Sequence, residues 1–389
     1  MLSVGAILFV GSFPPRECGV ATFTKDVVDS YDRLTGSRSS VVAIDDPSGC
    51  AYRYGPEVVN RINQDVRASY YSAAAFANRH PSAVVNIQHE FGLFGGEYGE
   101  WCLDFMHAVS KPIALTMHTV LPRPASSQLA LTQRLCEGAA RVIVLAETGR
   151  DLLIDTYGVA PEKIAVIPHG VPDVAYQPSS APKAALGLSG RTVVSTFGLL
   201  SSGKGLEHAI EAVARVAPNH PNILYLILGA THPVVVRSEG ERYRSSLQAQ
   251  IDELGMHEHI RMIDRYLGLD ELIAYLLATD VYLTPYLNAD QIVSGTLAYA
   301  LGAGKAIVST PYLYARELLA NGRGLLARFR DPDSLAEAMT QLLADPALRS
   351  QIAERAYAYG RHMIWEVVAT DYARVINELA AMQLVSSDR

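Results

Sequence analysis

The chain has no long apolar run and no excess of positive charge. No stretch approaches the roughly 18 apolar residues that a membrane-spanning helix needs. The apolar N-terminal segment lacks the basic flank and the small-residue cleavage site of a signal peptide, so we interpret it as a buried strand. With 33 Lys and Arg against 40 Asp and Glu, the formal net charge is -7, and a nucleic acid is not an expected partner. We expect a soluble cytoplasmic protein, and peripheral membrane contact through a surface helix stays open.

Cysteine is scarce and dispersed. The four cysteines form no CxxC pair and have no histidine at the spacing of a zinc site: Cys18, Cys50, Cys102 and Cys136. Neither a disulfide framework nor a structural metal is indicated, and a reducing compartment fits this usage. The chain also lacks a dinucleotide-binding fingerprint with a suitably spaced acid, which argues against a nicotinamide-dependent oxidoreductase.

Short apolar runs alternate with amphipathic segments along most of the 389 residues. This alternation predicts parallel strands joined by helices, and the length predicts two domains rather than one. We therefore predict an α/β fold of two Rossmann-like, doubly wound domains that face a cleft. The predicted divisions are a first domain (1–172), a linker (173–190), a second domain (191–362) and a C-terminal helix (363–389) that packs back on the first domain. The predicted strands are 6–11, 40–44, 83–88, 113–118, 142–146, 164–168, 192–197, 223–228, 260–263, 281–284, 306–309 and 324–327.

The tract 290–310, DQIVSGTLAYALGAGKAIVST, predicts a loop, a short helix and a buried strand. Ser294 is a favourable N-cap and Gly295 adds no bulk, so the free N–H groups of the first turn are open to an anion such as phosphate. From Leu297 onward the apolar residues fall on one helical face. An ordinary helix of an α/β domain gives the same pattern, so other parts of the chain have to decide between the two interpretations.

Charged residues and a glycine follow the first predicted strand. Arg16 and Glu17 stand at the carboxyl end of that strand, where water or a substrate has to meet them. Gly19 lets the backbone approach a phosphate at the start of a helix, which we place at Thr22. A tight turn without a ligand is the alternative.

Two further strands of the first domain end in polar residues. Gln88, His89 and Glu90 close one strand, and a glycine-rich loop follows. His118 closes the next strand, and its proline-stiffened loop carries Arg123. A single histidine of this kind is often bonded to a neighbouring carbonyl, but three polar strand ends on one sheet edge favour a site. These side chains are suited to bind sugar hydroxyls or to assist proton transfer.

In the second domain, Lys204 lies between Gly203 and Gly205 where a strand gives way to a helix. The glycines permit close approach of a ligand, and a lysine ammonium is a point charge suited to a diphosphate. A solvated lysine at a helix start is the structural alternative. The helix dipole disfavours a lysine at that position, and this mismatch favours a functional interpretation.

In their order along the chain these tracts resemble the retaining family 4 glycosyltransferases, which have the glycosyltransferase-B fold. The match covers nearly the whole length, and its order and spacing carry more weight than any single motif. The matching tracts are SFPPRECGVATFTKDVV, the strand that ends at His118, VIPHGVP, FGLLSSGKGLEHAIEAV, IRMIDRYLGLDELIAYLLATDVYLTPY, GTLAYALGAGKAIVST and YARELLANGRGLLARFRDPDSLAEAM.

The resemblance implies transfer of a sugar from a nucleotide-diphosphate sugar to a carbohydrate or another small hydroxylated acceptor, with retention of anomeric configuration. No cofactor and no metal are implied, and no side-chain nucleophile. The first domain would then face the acceptor and the second would bind the donor. By position, Gly19 would lie near the diphosphate and His118 would contact the donor sugar as the residue nearest the chemistry. Lys204 and the N–H groups of Gly295, Thr296 and Leu297 would bind the diphosphate, and the backbone of Arg265, Tyr266 and Leu267 would meet the base.

Three positions depart from the family pattern. Leu199 stands where the family usually has an Arg, and Gln291 and Tyr299 stand where it has two Glu residues. The changes remove a cation from the diphosphate and the usual partner of the ribose hydroxyls. Each lost contact would weaken binding of the donor by about 1.5–3 kcal/mol, the value of a hydrogen bond to a charged group. The arginines that could compensate are Arg16, Arg265 and Arg316.

These departures leave two alternatives open. A glycoside phosphorylase of the same fold would use inorganic phosphate and a sugar 1-phosphate, and it needs no ribose contact. A binding or regulatory protein would keep the cleft and lack turnover.

Overall fold

The computed structural model describes residues 6–47 and 52–387. They form two compact units, one made of the residues up to Gly170 together with those from Trp365 onward, the other of Val171–Ile364. Segment 173–190, for which the sequence suggested a linker, belongs to the second unit. It contains a short helix, whose Lys183 forms a 2.5 Å ion pair with Asp280.

The strands are β1 (Ile7–Gly11), β2 (Ser40–Asp45), β3 (Val58–Asn63), β4 (Val84–His89), β5 (Ile113–Met117), β6 (Arg141–Val144), β7 (Ile164–Val166), β8 (Thr192–Phe197), β9 (Ile223–Leu228), β10 (Ile260–Ile263), β11 (Val281–Thr284), β12 (Ala306–Ser309) and β13 (Leu325–Leu326). The helices are α1 (Gly19–Thr35), α2 (Arg67–Arg79), α3 (Cys102–Ala108), α4 (Ser126–Gly138), α5 (Glu147–Asp155), α6 (Ser180–Ala185), α7 (Leu206–Val216), α8 (Pro233–Glu239), α9 (Arg242–Glu253), α10 (Leu269–Ala278), α11 (Gly295–Gly302), α12 (Leu313–Leu318), α13 (Pro332–Ala344), α14 (Pro346–Gly360) and α15 (Trp365–Ser387).

Each unit is built on one parallel sheet. The order in the first unit is β3-β2-β1-β4-β5-β6-β7, and the order in the second is β10-β9-β8-β11-β12-β13. Both orders reverse direction beside the first strand, at β1 and β4 in one sheet and at β8 and β11 in the other. Ligands of open parallel sheets bind beyond the carboxyl ends of the strands at such a reversal point.

The cores follow from the sequence pattern. Every residue of β9, ILYLIL, is buried, as expected of a strand covered by helices on both faces. In α7, residues Leu206, Ile210 and Val213 are fully buried on one face, at the spacing that turns an amphipathic helix toward a sheet. Both units therefore hold their strand ends on a rigid scaffold.

The predicted α/β class with two Rossmann-like domains is confirmed. The prediction missed β3, because this edge strand buries only Ile62 fully and leaves Val59 exposed. It also placed the start of the first helix at Thr22, which is wrong. The helix begins at Gly19, and the Sγ atom of Cys18 caps it by accepting a hydrogen bond from the N–H of Ala21 at 3.3 Å.

Among the described cysteines, Cys18, Cys102 and Cys136 are free, and Cys50 lies outside the described residues. Within the described ranges, no helix combines the length and the apolar character that crossing a bilayer requires.

Candidate functional site

The loop after β8 lies close to the loop after β11 because glycine leaves room for it. Gly205 has φ +62°, and a Cβ atom at this position would overlap the carbonyl oxygen of Pro285. The N–H of Leu287 donates a hydrogen bond to the carbonyl of Gly203 at 2.9 Å. The two loops are thus joined at the reversal point of the second sheet.

Lys204 lies at the end of a 3₁₀ turn, Ser202–Lys204, within this pair of loops. Its Nζ atom sits 3.9 Å from the centre of the Tyr286 ring, an arrangement worth about 0.5–1 kcal/mol at exposed sites. Over the residues that the structure describes, Lys204 has no carboxylate partner within ion-pair distance. Its positive charge is positioned by an aromatic face and not neutralised by an acid.

Tyr286 also reaches the N-terminus of α11. Its hydroxyl lies 2.7 Å from Oγ1 of Thr296, and that atom lies 3.1 Å from Oγ of Ser294. Ser294 is the N-cap, as the sequence predicts, and its Oγ accepts a hydrogen bond from the N–H of Leu297 at 3.3 Å. Tyr286 therefore ties the lysine to the start of the helix, where Gly295 supplies a further N–H group.

Gln291 and Tyr299, the two departures in this helix region, have internal partners. Nε2 of Gln291 donates a hydrogen bond to the carbonyl of Val293 at 2.9 Å. Tyr299 is buried, with its ring 6.3 Å from that of Phe197 at the end of β8. Both side chains are used in holding the loop and the core together.

The predicted base-contacting segment follows β10, at the edge of the second sheet. Arg265 is exposed and forms an ion pair with Glu271, with Nη1 2.7 Å from Oε2. Tyr266 is exposed as well, whereas Leu267 is buried. The segment lies two strands away from β8, so the structure does not bring it into the Lys204 and Tyr286 cluster.

In the first unit, the turn after β1 presents the start of α1. Gly19 is exposed, and a Cβ atom added there would meet nothing within 4 Å. Nη1 of Arg16 donates a hydrogen bond to the carbonyl of Ile44 at 3.1 Å, and Glu17 is exposed. Arg16 is thus anchored to the end of β2.

His118 follows β5 and is almost fully buried. Its Nε2 atom lies 2.8 Å from Oε1 of Gln88, and its ring meets Phe23 edge-on at 4.8 Å. Burial, followed by the proximity of His169 and His89, lowers the pKa of His118 to about 3. The imidazole is therefore neutral at ordinary pH, so it can exchange hydrogen bonds but does not act as a cation.

The neighbouring strand end carries His89 and Glu90. His89 is fully buried and stacks on Phe94 at 5.6 Å. Its two ring nitrogens have no hydrogen-bond partner within the described ranges, and burial lowers its pKa to about 4. Burial raises the pKa of Glu90, whose Oε2 accepts a hydrogen bond from Oγ1 of Thr119 at 2.7 Å. Glu90 and Thr119 thereby join the ends of β4 and β5.

Several residues at these strand ends were missed by the sequence prediction. His169 is almost fully buried, its ring is 5.1 Å from that of Phe23, and burial lowers its pKa to about 4. Tyr286 follows the buried strand β11, so the rule that selected His118 would have selected it too, whereas the strand before His169, β7, is only partly buried. Asn86 lies inside a strand, where the sequence gives no such signal. Arg123, which was predicted, lies exposed in the loop between β5 and α4.

Within residues 6–47 and 52–387, no three His, Cys, Asp or Glu side chains are grouped closely enough to hold a metal ion.

Comparison with known proteins identifies the family. The family model for glycosyl transferases group 1 matches residues 182–359, and the model for Glycosyltransferase Family 4 matches residues 19–174. The chain belongs to the group 1, family 4 glycosyltransferases. The resemblance predicted from the sequence tracts is thereby confirmed.

The curated relatives of this glycosyltransferase share about a quarter of its residues. D-inositol 3-phosphate glycosyltransferase of Kineococcus radiotolerans is 25% identical over 78% of this chain and 74% of its own length. Phosphatidyl-myo-inositol mannosyltransferase of Mycobacterium tuberculosis is 25% identical over 71% of this chain and 70% of its own. The match to the exopolysaccharide phosphotransferase SCO2592 of Streptomyces coelicolor, at 26% identity over 62% of this chain, spans only 23% of that relative's length.

Solved structures share the fold of this glycosyltransferase. Anabaena HepE in complex with UDP and glucose has a TM-score of 0.73 at 18% identity, covering 98% of this chain and 100% of that one. Sucrose-phosphate synthase from Thermosynechococcus elongatus has a TM-score of 0.77 at 15% identity, covering 97% and 100%. At these identities the likeness establishes the glycosyltransferase-B fold.

Proposed function

We propose that this glycosyltransferase moves a sugar from a nucleoside-diphosphate sugar to an acceptor hydroxyl, with retention of configuration and without a metal ion. The observation that carries the proposal is the connection of Lys204 to the N-terminus of α11 through Tyr286. An ammonium and the N–H groups of Gly295 and Thr296 together suit a diphosphate, since both stabilise anionic oxygens, whereas the N–H of Leu297 already donates to Oγ of Ser294.

The chemistry asked of these groups is the stabilisation of a leaving group. As the bond from the sugar to the diphosphate breaks, negative charge grows on the phosphate oxygen that departs. Lys204 and the first N–H groups of α11 stabilise this charge, and preorganised groups of this kind are among the largest contributors to enzymatic rate. The same phosphate oxygen takes the proton of the acceptor hydroxyl on the face it leaves, which retains the configuration. His118, neutral and buried, serves as a hydrogen-bonding partner of the sugar.

The comparisons suggest which ligands to test first. Solved neighbours were obtained with UDP and with UDP-glucose, so uridine is the first base to try. The curated relatives are named for D-inositol 3-phosphate and phosphatidyl-myo-inositol. Inositol and its phosphates are therefore the first small hydroxylated acceptors to offer.

The test is calorimetric titration with uridine, guanosine and adenosine diphosphates and their sugars, in buffer that contains a chelator. We expect the diphosphate and the nucleotide sugars of one of the three nucleosides to bind. Turnover would then be measured with the acceptor panel, and the anomeric configuration of the product would be read by NMR. Absence of binding across the panel would refute the proposal, and an inverted product would refute the retaining mechanism.

A glycoside phosphorylase is favoured by one specific observation. Gln291 and Tyr299 have no carboxylate to offer a ribose, and their side chains contact Val293 and Phe197 instead. A phosphorylase has no ribose to bind. Release of a sugar 1-phosphate from disaccharides and inorganic phosphate, without nucleotide binding, would establish this function. Ligand binding without any product in either assay would instead indicate a noncatalytic protein.

A further inference from the structure

A chain of uncharged polar side chains crosses the buried face of the first sheet and ends at His118. It begins at Asn86, which is paired with Ala114 in the register of β4 and β5. Nδ2 of Asn86 donates a hydrogen bond to the carbonyl of Ala114 at 3.1 Å. A backbone carbonyl can only accept, so this contact fixes which end of the Asn86 amide faces β5.

The orientation then passes along β4. Oδ1 of Asn86 is 2.5 Å from Nε2 of Gln88, which must donate to it. The two residues are two apart in one strand and so lie on the same face. The remaining end of the Gln88 amide, Oε1, is 2.8 Å from Nε2 of His118. Because Oε1 can only accept, Nε2 of His118 must carry the proton, and Nδ1 is left as an acceptor.

Such a chain is costly in the interior of a sheet. Asn86 and Gln88 are both fully buried, and a buried amide stabilises a fold only when its hydrogen bonds are satisfied. Thr116 and Tyr372 of α15 complete the cluster: the Thr116 hydroxyl is 3.1 Å from both Nδ2 of Asn86 and the hydroxyl of Tyr372. Replacing hydrogen-bonded partners by apolar groups of the same shape can be nearly neutral or stabilising, so packing alone does not account for these amides.

We propose that Asn86 and Gln88 are positioning residues, which hold His118 in the Nε2–H tautomer and present its Nδ1 atom as an acceptor to a hydroxyl of the sugar. Only the identity of the ligand, a sugar, rests on the proposed function. Among the described residues, Nδ1 of His118 has no protein partner. The titratable groups nearest the ring are His89 and His169, and burial lowers the pKa of each to about 4. Both are neutral at pH 7, so the hydrogen bond from the Gln88 amide determines the tautomer of His118.

The tautomer is measured directly in the free, full-length protein. Long-range ¹H–¹⁵N spectra of histidine-labelled protein distinguish a protonated Nε2 from a protonated Nδ1, with His118→Gln used for assignment. We expect His118 to be the pure Nε2–H form in the wild type. Gln88→Met removes the acceptor at similar volume, so we expect a mixture of tautomers in this variant. Its kcat should decrease about tenfold, which corresponds to 1.36 kcal/mol, while its affinity for the nucleotide stays within twofold of the wild type.

Two further variants keep the test decisive. Gln88→Glu keeps an oxygen that accepts from Nε2–H, although it loses the amide donor to Oδ1 of Asn86. It should preserve the tautomer, and its ionised form should raise the pKa of His118 by at least about one unit, even if Gln88→Met folds poorly. Tyr157→Phe is the control, because it removes another buried hydroxyl of the first unit, which donates to the carbonyl of Leu121 at 2.8 Å. It should leave the tautomer and kcat unchanged.

The inference would be overturned by an Nδ1–H tautomer in the wild type, or by unchanged His118 signals in both Gln88 variants. An equal loss of kcat in Tyr157→Phe would also overturn it, because the effect would then be one of general stability. Failure of the proposed function is distinguishable, since it would show as absence of nucleotide-sugar binding while the tautomer of the free protein remained as expected.

Discussion

Replacing Lys204 by Met is the sharpest test of the donor site. Methionine keeps the length and the apolar stem that packs on Tyr286, and a thioether also contacts aromatic rings favourably. The ammonium group is lost, with its charge and its three hydrogen-bond donors. Because the lysine side chain is partly exposed and lies 3.9 Å from the Tyr286 ring, we expect the free energy of unfolding to change by less than about 1 kcal/mol.

The effect on diphosphate binding should be larger. Two unit charges 4 Å apart interact by about 4 kcal/mol at an effective dielectric constant of 20, which is an upper limit for this site. The net value of a hydrogen bond to a charged group is about 1.5–3 kcal/mol. The dissociation constant for the nucleoside diphosphate should therefore rise about 10- to 150-fold, at 1.4 kcal/mol for each factor of ten.

Calorimetric titration of the wild type and Lys204→Met, at low and at high salt, measures this difference. The variant should also lose part of the salt dependence of binding, because one charge no longer takes part. Lys25→Met is the matched control. Lys25 is a partly exposed lysine of α1 paired with Asp29 at 2.8 Å, and its removal should not affect binding. Equal affinities of Lys204→Met and the wild type would assign Lys204 to the solvated surface and refute the proposed donor site.

Three other predictions concern separate parts of the molecule. Gly205→Ala should destabilise the fold by more than the ~1 kcal/mol that a left-handed alanine costs, and it should weaken nucleotide binding. Gly255→Ala is the control, because Gly255 has φ +64° with open space around it, so this variant should lose only that ~1 kcal/mol. Equal urea midpoints of the two variants would contradict the prediction. His118→Ala should lower kcat more than nucleotide affinity, and the opposite ratio would assign His118 to the nucleotide. Burial lowers the pKa of Lys305 to about 8 from 10.5, so the charged side chain lowers the free energy of unfolding by about 3 kcal/mol below pH 8, and this penalty disappears as the pH rises toward 10.5. In urea titrations from pH 7 to 10 the wild type should therefore gain stability relative to Lys305→Met. The same dependence of stability on pH in both proteins would refute the lowered pKa.

What the sequence could predict was the part encoded in local pattern. Ser294 was recognisable as an N-cap because it precedes an apolar helical face, and the structure shows the bond to Leu297. The strands buried on both faces were recognisable as apolar runs. In contrast, β3 pairs along the edge of the sheet through its backbone, and its mixed side chains carry no strand periodicity. The Cys18 cap was missed because a thiol is not among the preferred capping groups.

The site shows the same division. Lys204 could be selected from its flanking glycines and from its unfavourable place at a helix start. Its contact with Tyr286 could not, because the two are brought together only by the order of β8 and β11 in the sheet. The role of Asn86 could not be predicted for a related reason. Its hydrogen bond to Ala114 depends on the register of β4 and β5, which a single sequence does not specify.

The return of α15 to the first unit sets an order for folding during synthesis. The core of that unit includes Tyr372, Ile376 and Leu379, so it cannot close until α15 has left the ribosome. The second unit is one uninterrupted stretch, Val171–Ile364, and all of its core is synthesised earlier. The first unit is therefore completed after the second, and its nascent sheet lacks α15 while the second unit is synthesised.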